Sequence, residues 1–128
     1  MSNNSKTVLV VDDSSTFRTM VTFAIKKMAG LDNNIPAADG LEALDALAKN
    51  DIDLIICDIN MPNMDGLEFL KTIKKDDKFK DIPIIMITTD AMEEDRNYAK
   101  SLGANAYLQK PFKPSELIAE LKNIPGLL

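Results

Sequence analysis

The chain has 128 residues, 45% of them apolar and only one a cysteine, enough to bury a domain-sized core without disulfide support. Fifteen basic against twenty acidic side chains leave a net charge of −5, which repels phosphates and argues against nucleic acid or a membrane surface as partner. Histidine is absent, so imidazole acid–base catalysis, His metal sites and a phosphohistidine on this chain are excluded together. The sole thiol, Cys57, fits a reducing compartment, and residues 1–6 lack the apolar core of a signal peptide. No apolar run is long enough to span a bilayer. A cytoplasmic protein is expected, with one domain over 1–128 and its core at about 6–122.

Elements alternate along the chain. Thr7–Val11 is a short β-branched run of the kind buried on both faces of a parallel sheet. Phe17, Met20, Val21, Ala24, Ile25 and Met28 follow at helical spacing and form an apolar stripe. Asn34–Ala38 is a weaker strand, and Pro36, which cannot donate to a ladder, places it at an edge. Gly40–Lys49 is helical, with Leu41, Leu44, Leu47 and Ala48 as its apolar positions. Asp53–Cys57 is a second, nearly continuous apolar strand bounded by acids, followed by a helix over Asp65–Lys75 carrying Leu67, Leu70 and Ile73. Pro83–Ile87 is the next strand, and Ala91–Leu102 a helix with only Ala91, Tyr98, Ala99 and Leu102 to bury, the thinnest stripe of the set. Asn105–Leu108 is a weak strand, and Pro114–Leu121 a helix opened by proline in its first turn, with Leu117, Ile118 and Leu121 inward. Five β–α units with right-handed crossovers make an α/β fold, an open parallel sheet with helices on both faces. Sites in such sheets lie at the carboxyl ends of the strands.

The residues at those ends are Asp12, Asp13, Asp58, Thr88 and Lys110. Two carboxylates at about 5 Å and an effective dielectric near 20 repel by roughly 3 kcal/mol, so three ionised together call for a cation. A hard divalent ion such as Mg²⁺, which keeps some of its waters, suits an all-oxygen donor set. Taken singly, each residue has a plainer reading. Asp12, Asp13 and Ser14 can cap the first helix, and Asp58 can be a turn residue. Thr88 can be a strand residue or a cap, and Lys110 a solvated surface group. Two acidic ends on two buried strands favour a cation site. A cis Lys110–Pro111 bond is one way to aim the lysine at it.

Together, Val10-Val11-Asp12-Asp13-Ser14, Asp58-Ile59-Asn60-Met61-Pro62, Asp65-Gly66, Thr88 and Lys110-Pro111-Phe112 resemble the receiver domains of two-component response regulators. The match keeps the family's order and spacing over nearly the whole chain. Asn60-Met61-Pro62-Asn63-Met64-Asp65-Gly66-Leu67-Glu68 looks most like the chemotaxis (CheY-type) branch, and no output domain is expected after residue 122. The resemblance implies a sheet of order 2-1-3-4-5 with five helices, as in flavodoxin-like folds. It implies Asp58 as phosphoryl acceptor. Asp13 and Asp58 are the implied carboxylate ligands of Mg²⁺, with the Asn60 carbonyl beside them and Asp12 acting through water. Lys110 would hold a phosphoryl oxygen, Thr88 would supply the switch hydroxyl, and Tyr107 would change its burial in concert. The plainer reading of Tyr107 is a half-buried strand aromatic.

Implied partners are a chemotaxis-type (CheA-like) histidine kinase, a phosphorylation-dependent output protein such as the flagellar motor switch, and a phosphatase. A monomer is expected. Such a chain is a signalling receiver rather than an enzyme beyond its own phosphotransfer and dephosphorylation. Three departures stand out, the first being the region Gly30–Pro36, about one residue longer than the family's usual loop. Thr89 occupies a position the family usually keeps small, which implies slower attack by water or a narrower approach for the donor. Asn60 and Asp90, flanking the site, are by contrast ordinary for the chemotaxis branch and are implied to position hydrolytic water. The fourth helix opens Met92-Glu93-Glu94-Asp95-Arg96, and the fifth carries Glu116 and Glu120, where motor-binding relatives tend to show lysines. This leaves a non-motor output, or a phosphate sink, as the alternative; a charge run is also compatible with a merely solvated face. An Mg²⁺-dependent hydrolase with an aspartate nucleophile is disfavoured because Asn60 stands where its general acid would be. A flavin module is disfavoured because Asp12 and Asp13 would repel the cofactor's phosphate.

Overall fold

The computed structural model describes residues 6–89 and 92–128. In chain order the elements are β1 (Thr7–Val11), α1 (Ser15–Ala29), β2 (Asn33–Ala37), α2 (Gly40–Lys49), β3 (Leu54–Asp58), α3 (Gly66–Lys74), β4 (Ile84–Thr88), α4 (Glu93–Ser101), β5 (Ala106–Gln109) and α5 (Pro114–Lys122). The strands form one parallel sheet of order β2-β1-β3-β4-β5. β2, which carries Pro36, lies at an edge, where a missing N–H costs no ladder bond. Among the described residues no helix is long and apolar enough to cross a membrane.

Strand alternation divides the core into two layers. Leu9, Val11, Ile55, Cys57, Ile84 and Met86 face one side and pack with Ala43, Leu47, Phe69, Leu70, Ile73 and Ala99 of α2, α3 and α4. Val8, Val10, Leu54, Ile56, Ile85 and Ile87 face the other, against Val21, Ile25, Leu117, Ile118 and Leu121 of α1 and α5. Continuing the alternation sends Asp12 and Asp58 to the α1/α5 side and Thr88, with Tyr107, to the α4 side.

Several sequence expectations are corrected here. The α1 stripe is wider than the surface the sheet covers: Val21, Ala24 and Ile25 are buried, but Met20 and Met28 are exposed, as is Phe23. In α2 the buried face is Gly40, Ala43, Ala46 and Leu47, while Leu41 and Ala48 face solvent. The physical reason is Gly40, whose backbone N–H donates to the Met64 carbonyl and brings the helix start against the Met64 side chain. That contact fixes the rotation of the helix and selects small residues for its inner face. In α3 the stripe missed Phe69, which is fully buried with Leu70 and Ile73. Tyr98 of α4 is exposed and Ala99 is that helix's buried residue. Ala91, read as part of this stripe, and Asp90 lie outside the described residues.

Candidate functional site

Local hydrogen bonds hold the described residues at the carboxyl edge. Ser14 caps α1 by accepting the Phe17 N–H on Oγ at 3.2 Å, so the capping role falls to Ser14 and not to the aspartates before it. Asp12, just past β1, accepts the Ser14 N–H on Oδ1 at 2.9 Å, and its own carbonyl accepts from the Arg18 guanidinium. Thr88 is the last residue of β4 and does not cap α4, whose N-cap is Met92. The Lys110 N–H donates to the Thr88 carbonyl at 2.7 Å, and the Lys110–Pro111 peptide is cis.

Sheet register brings the acids together. Val11 pairs with Cys57 and Asp58 with Ile87, so Asp12, Asp58 and Thr88 occupy neighbouring strand ends. One carboxylate oxygen from each of Asp12, Asp13 and Asp58 lies within 4.8 Å of the others. Asp12 and Asp58 are buried, Asp13 exposed. The Lys110 ammonium donates to Asp12 Oδ2 at 2.7 Å and stands 3.8 Å from Asp58 Oδ1, too far for a hydrogen bond. Both Asp12 oxygens are therefore engaged, whereas Asp58 Oδ1 is buried without a hydrogen-bond partner. An all-oxygen donor set with an orphaned buried carboxylate oxygen fits a hard cation such as Mg²⁺.

The same environment raises the Asp58 pKa from an ordinary 3.8 to about 6. Burial is the main cause and the Asp12 charge adds to it; Lys110 and the Ile59 N–H oppose the rise, and Asp13 contributes a little more. The folded state thus binds this proton more tightly than the unfolded chain does. Its contribution to stability falls as pH climbs from 3.8 towards about 6 and stays low above that window. Without divalent ions, Asp58→Asn is expected to stabilise the protein at mildly alkaline pH by up to about 3 kcal/mol. That advantage should vanish once pH drops below the unfolded value. Urea unfolding across the pH range reads this directly, and equal stabilities at alkaline pH would contradict it.

On the α4 side, the Asn60 amide reaches Thr88 Oγ1 at 3.5 Å. The Tyr107 hydroxyl is buried with no hydrogen-bond partner, and the Arg96 guanidinium sits 5.3 Å over its ring. Burial raises the phenol's pKa, Asp95 adds to the rise and Arg96 offsets part of it. Thr89 is exposed. Cys57 is inert: it is buried, its thiol donates to the Asp58 carbonyl at 3.2 Å, and burial followed by the Asp58 charge pushes its pKa well up.

The structure also adds residues that the sequence reading left out of the site. Buried Asp39 caps α2 through the Glu42 N–H at 2.9 Å and accepts from the Asn63 amide at 2.7 Å, and these two bonds hold its carboxyl below the usual range. Asn63 has φ 63°, a left-handed conformation that Asn tolerates better than most residues. This clamp ties the β3–α3 loop, with Asn60 on it, to the start of α2. An Asp-Gly pair ahead of a helical stripe would have signalled the cap, but nothing local signals its partner. Phe17, read as part of the apolar stripe of α1, is partly buried against the α1/α5 core and also lies against Lys110, with its ring centroid 3.8 Å from the ammonium.

Comparison with known proteins agrees with this geometry. The response regulator receiver domain model matches residues 8–122. Chemotaxis protein CheY-3 of Vibrio cholerae is 39% identical over 122 residues, covering 95% of this chain and 93% of that protein. The chemotaxis protein CheY homolog of Campylobacter jejuni is 41% identical over 120 residues, 93% of this chain and 92% of its own. Among solved structures, Vibrio cholerae chemotaxis protein CheY4 superposes with a TM-score of 0.84 at 41% identity, covering 92% of this chain and 97% of that one. With buried acids at adjoining strand ends, a lysine between them and this extent of similarity, the chain belongs to the response regulator receiver domains, as a CheY-like, chemotaxis-type signalling regulator rather than an enzyme of metabolism.

Proposed function

We propose that Asp58 accepts a phosphoryl group from the phosphohistidine of a partner kinase and that this switches the surface of α4, β5 and α5 to bind an output protein. The observation that carries the reading is the buried, unpartnered Oδ1 of Asp58, faced by the Lys110 ammonium inside the three-carboxylate cluster. A carboxylate oxygen of Asp58 forms the new O–P bond as the donor's N–P bond breaks. The departing imidazole keeps the electron pair and takes up a proton. Asp13, Asp58 and the Asn60 carbonyl would hold Mg²⁺, with Asp12 acting through water. When bound, the ion neutralises charge on the transferring group's oxygens.

Lys110 then turns from Asp12 towards a phosphoryl oxygen, and the Thr88 hydroxyl donates to another. Moving Thr88 displaces the end of β4, and Tyr107, whose hydroxyl lacks a partner, repositions with it. α4 is the mobile part because Ala99 is its one buried residue. Incubation with acetyl phosphate and Mg²⁺, read by intact mass, should add one phosphoryl group to the wild type and none to Asp58→Asn. An unmodified wild type, or equal modification of the variant, overturns the assignment.

The output reading is a flagellar motor switch protein. Glu93, Glu94 and Asp95 in the first turn of α4 favour a second reading, a non-motor output or phosphate sink with a more basic partner face. Glu116 weighs less, because its carboxylate accepts the Lys113 N–H at 2.8 Å and so serves the α5 cap. Capture with protein loaded with Mg²⁺ and beryllium fluoride, against Asp58→Ala, separates the two. Selective recovery of the switch protein supports the motor, and selective recovery of another protein selects the second reading. Identical sets from both baits count against the switch.

A further inference from the structure

The Lys110 ammonium has three N–H donors, and three groups stand close to it. One donor goes to Asp12 Oδ2 at 2.7 Å, and one faces Asp58 Oδ1 at 3.8 Å. The third group is the Phe17 ring, with the ammonium over it and its centroid 3.8 Å from Nζ. This ring is itself fixed. Its backbone N–H is the one that Ser14 Oγ accepts, and Phe112 meets it edge-on, with centroids 5.7 Å apart and planes at 85°. The negative face of an aromatic ring attracts a cation, most strongly where water is excluded. Unlike a carboxylate or a water molecule, it attracts without accepting a strong directed hydrogen bond. The ammonium is thereby screened on one side while a donor stays available on the Asp58 side.

We infer that Phe17 is a positioning residue for phosphoryl acceptance: its ring holds the Lys110 ammonium between Asp12 and Asp58, keeping a donor ready for the incoming group. This inference rests on the reading of Asp58 as phosphoacceptor. Leucine fills much of the same space but has no aromatic quadrupole, whereas successive fluorination weakens the quadrupole with little change of shape.

The test replaces Phe17 by mono-, di- and trifluorinated phenylalanine, with Phe17→Trp and Phe17→Leu alongside. One readout is the initial rate of phosphorylation by acetyl phosphate with Mg²⁺. The other is the NMR shift of the Lys110 ε-methylene protons, which the ring face displaces upfield whether or not the protein is phosphorylated. The rate is expected to fall stepwise along the fluorine series, by roughly fivefold in total. Phe17→Leu should match the slow end and Phe17→Trp should keep or exceed the wild-type rate. The upfield displacement should disappear in Phe17→Leu. A phosphorylated wild type whose rate is flat across the series, or whose Lys110 protons are not displaced, overturns the inference alone. A wild type that accepts no phosphoryl group while its Lys110 protons are displaced overturns the reading of Asp58, and with it the role given to Phe17.

Discussion

Gly66→Ala is expected to cost the fold more than any other single methyl that could be added to one of its described glycines. A Cβ built at Gly66 would lie 2.1 Å from the Asp58 carbonyl oxygen, 2.9 Å from the Asp58 carbonyl carbon and 2.8 Å from the Ile59 Cα. All three are backbone atoms at the exit of β3, so no side chain can swing aside to make room. The same contact is bonded, since the Gly66 N–H donates to the Ile59 carbonyl at 2.7 Å. Relief therefore requires α3 to lift from the strand that carries Asp58. Overpacking of this kind costs typically 1–3 kcal/mol, and a clash with unyielding backbone belongs at about 3 kcal/mol or above. The thermal midpoint should fall by roughly 10–20 °C. Gly30→Ala is the control, because Gly30 has φ 71° with nothing near its missing Cβ and should lose only about 1–2 kcal/mol of backbone strain. If the Gly66 variant melted no lower than the Gly30 variant, the close approach of α3 to the phosphoacceptor strand would be wrong.

That glycine illustrates what the sequence made legible and what it did not. Asp65-Gly66 could be read as a motif, and Asp65 does cap α3 through the Glu68 N–H at 2.8 Å. The reason for glycine is a contact with Asp58 across the loop, which no local pattern reveals. Strand positions were legible because fully apolar β-branched runs are rare outside parallel sheets. Their carboxyl ends were read a residue short at Asp58, Thr88 and Gln109, because the strands end on polar residues while hydropathy marks only the apolar stretch. Helix faces were the weaker inference. Leu41 looked inward by composition, but Gly40 against Met64 turns α2 so that Ala43 and Ala46 face the sheet. The acids of the site were legible because strand ends of a parallel sheet converge by topology. The aromatic wall at Phe17 and the Asp39–Asn63 clamp depend on how helices and loops settle over that edge, and spacing alone does not encode this.

Removing the Lys110 charge should separate its electrostatic role from its chemical one. The Asp12 side chain is only 2% exposed, and its two oxygens are engaged by the Lys110 ammonium and the Ser14 N–H. Lys110→Met keeps most of the aliphatic stem but leaves the Asp12 charge buried beside Asp58 and Asp13. Stripping one partner from a buried pair typically costs about 3–5 kcal/mol, because the surviving charge stays desolvated and unpaired. The metal-free variant should therefore unfold at markedly lower urea than the wild type. Asp12→Asn on top of Lys110→Met should recover most of the loss, since no orphaned charge then remains at that position. Mg²⁺ should raise the midpoint of Lys110→Met by more than it raises that of the wild type, because more uncompensated negative charge awaits it. Phosphorylation by acetyl phosphate should still fall severely in both Lys110 variants even where stability has returned. A double variant that regained both stability and phosphorylation would reduce Lys110 to a structural counter-ion. One that stayed unstable would show that an orphaned Asp12 charge is not what destabilises the Lys110 variant.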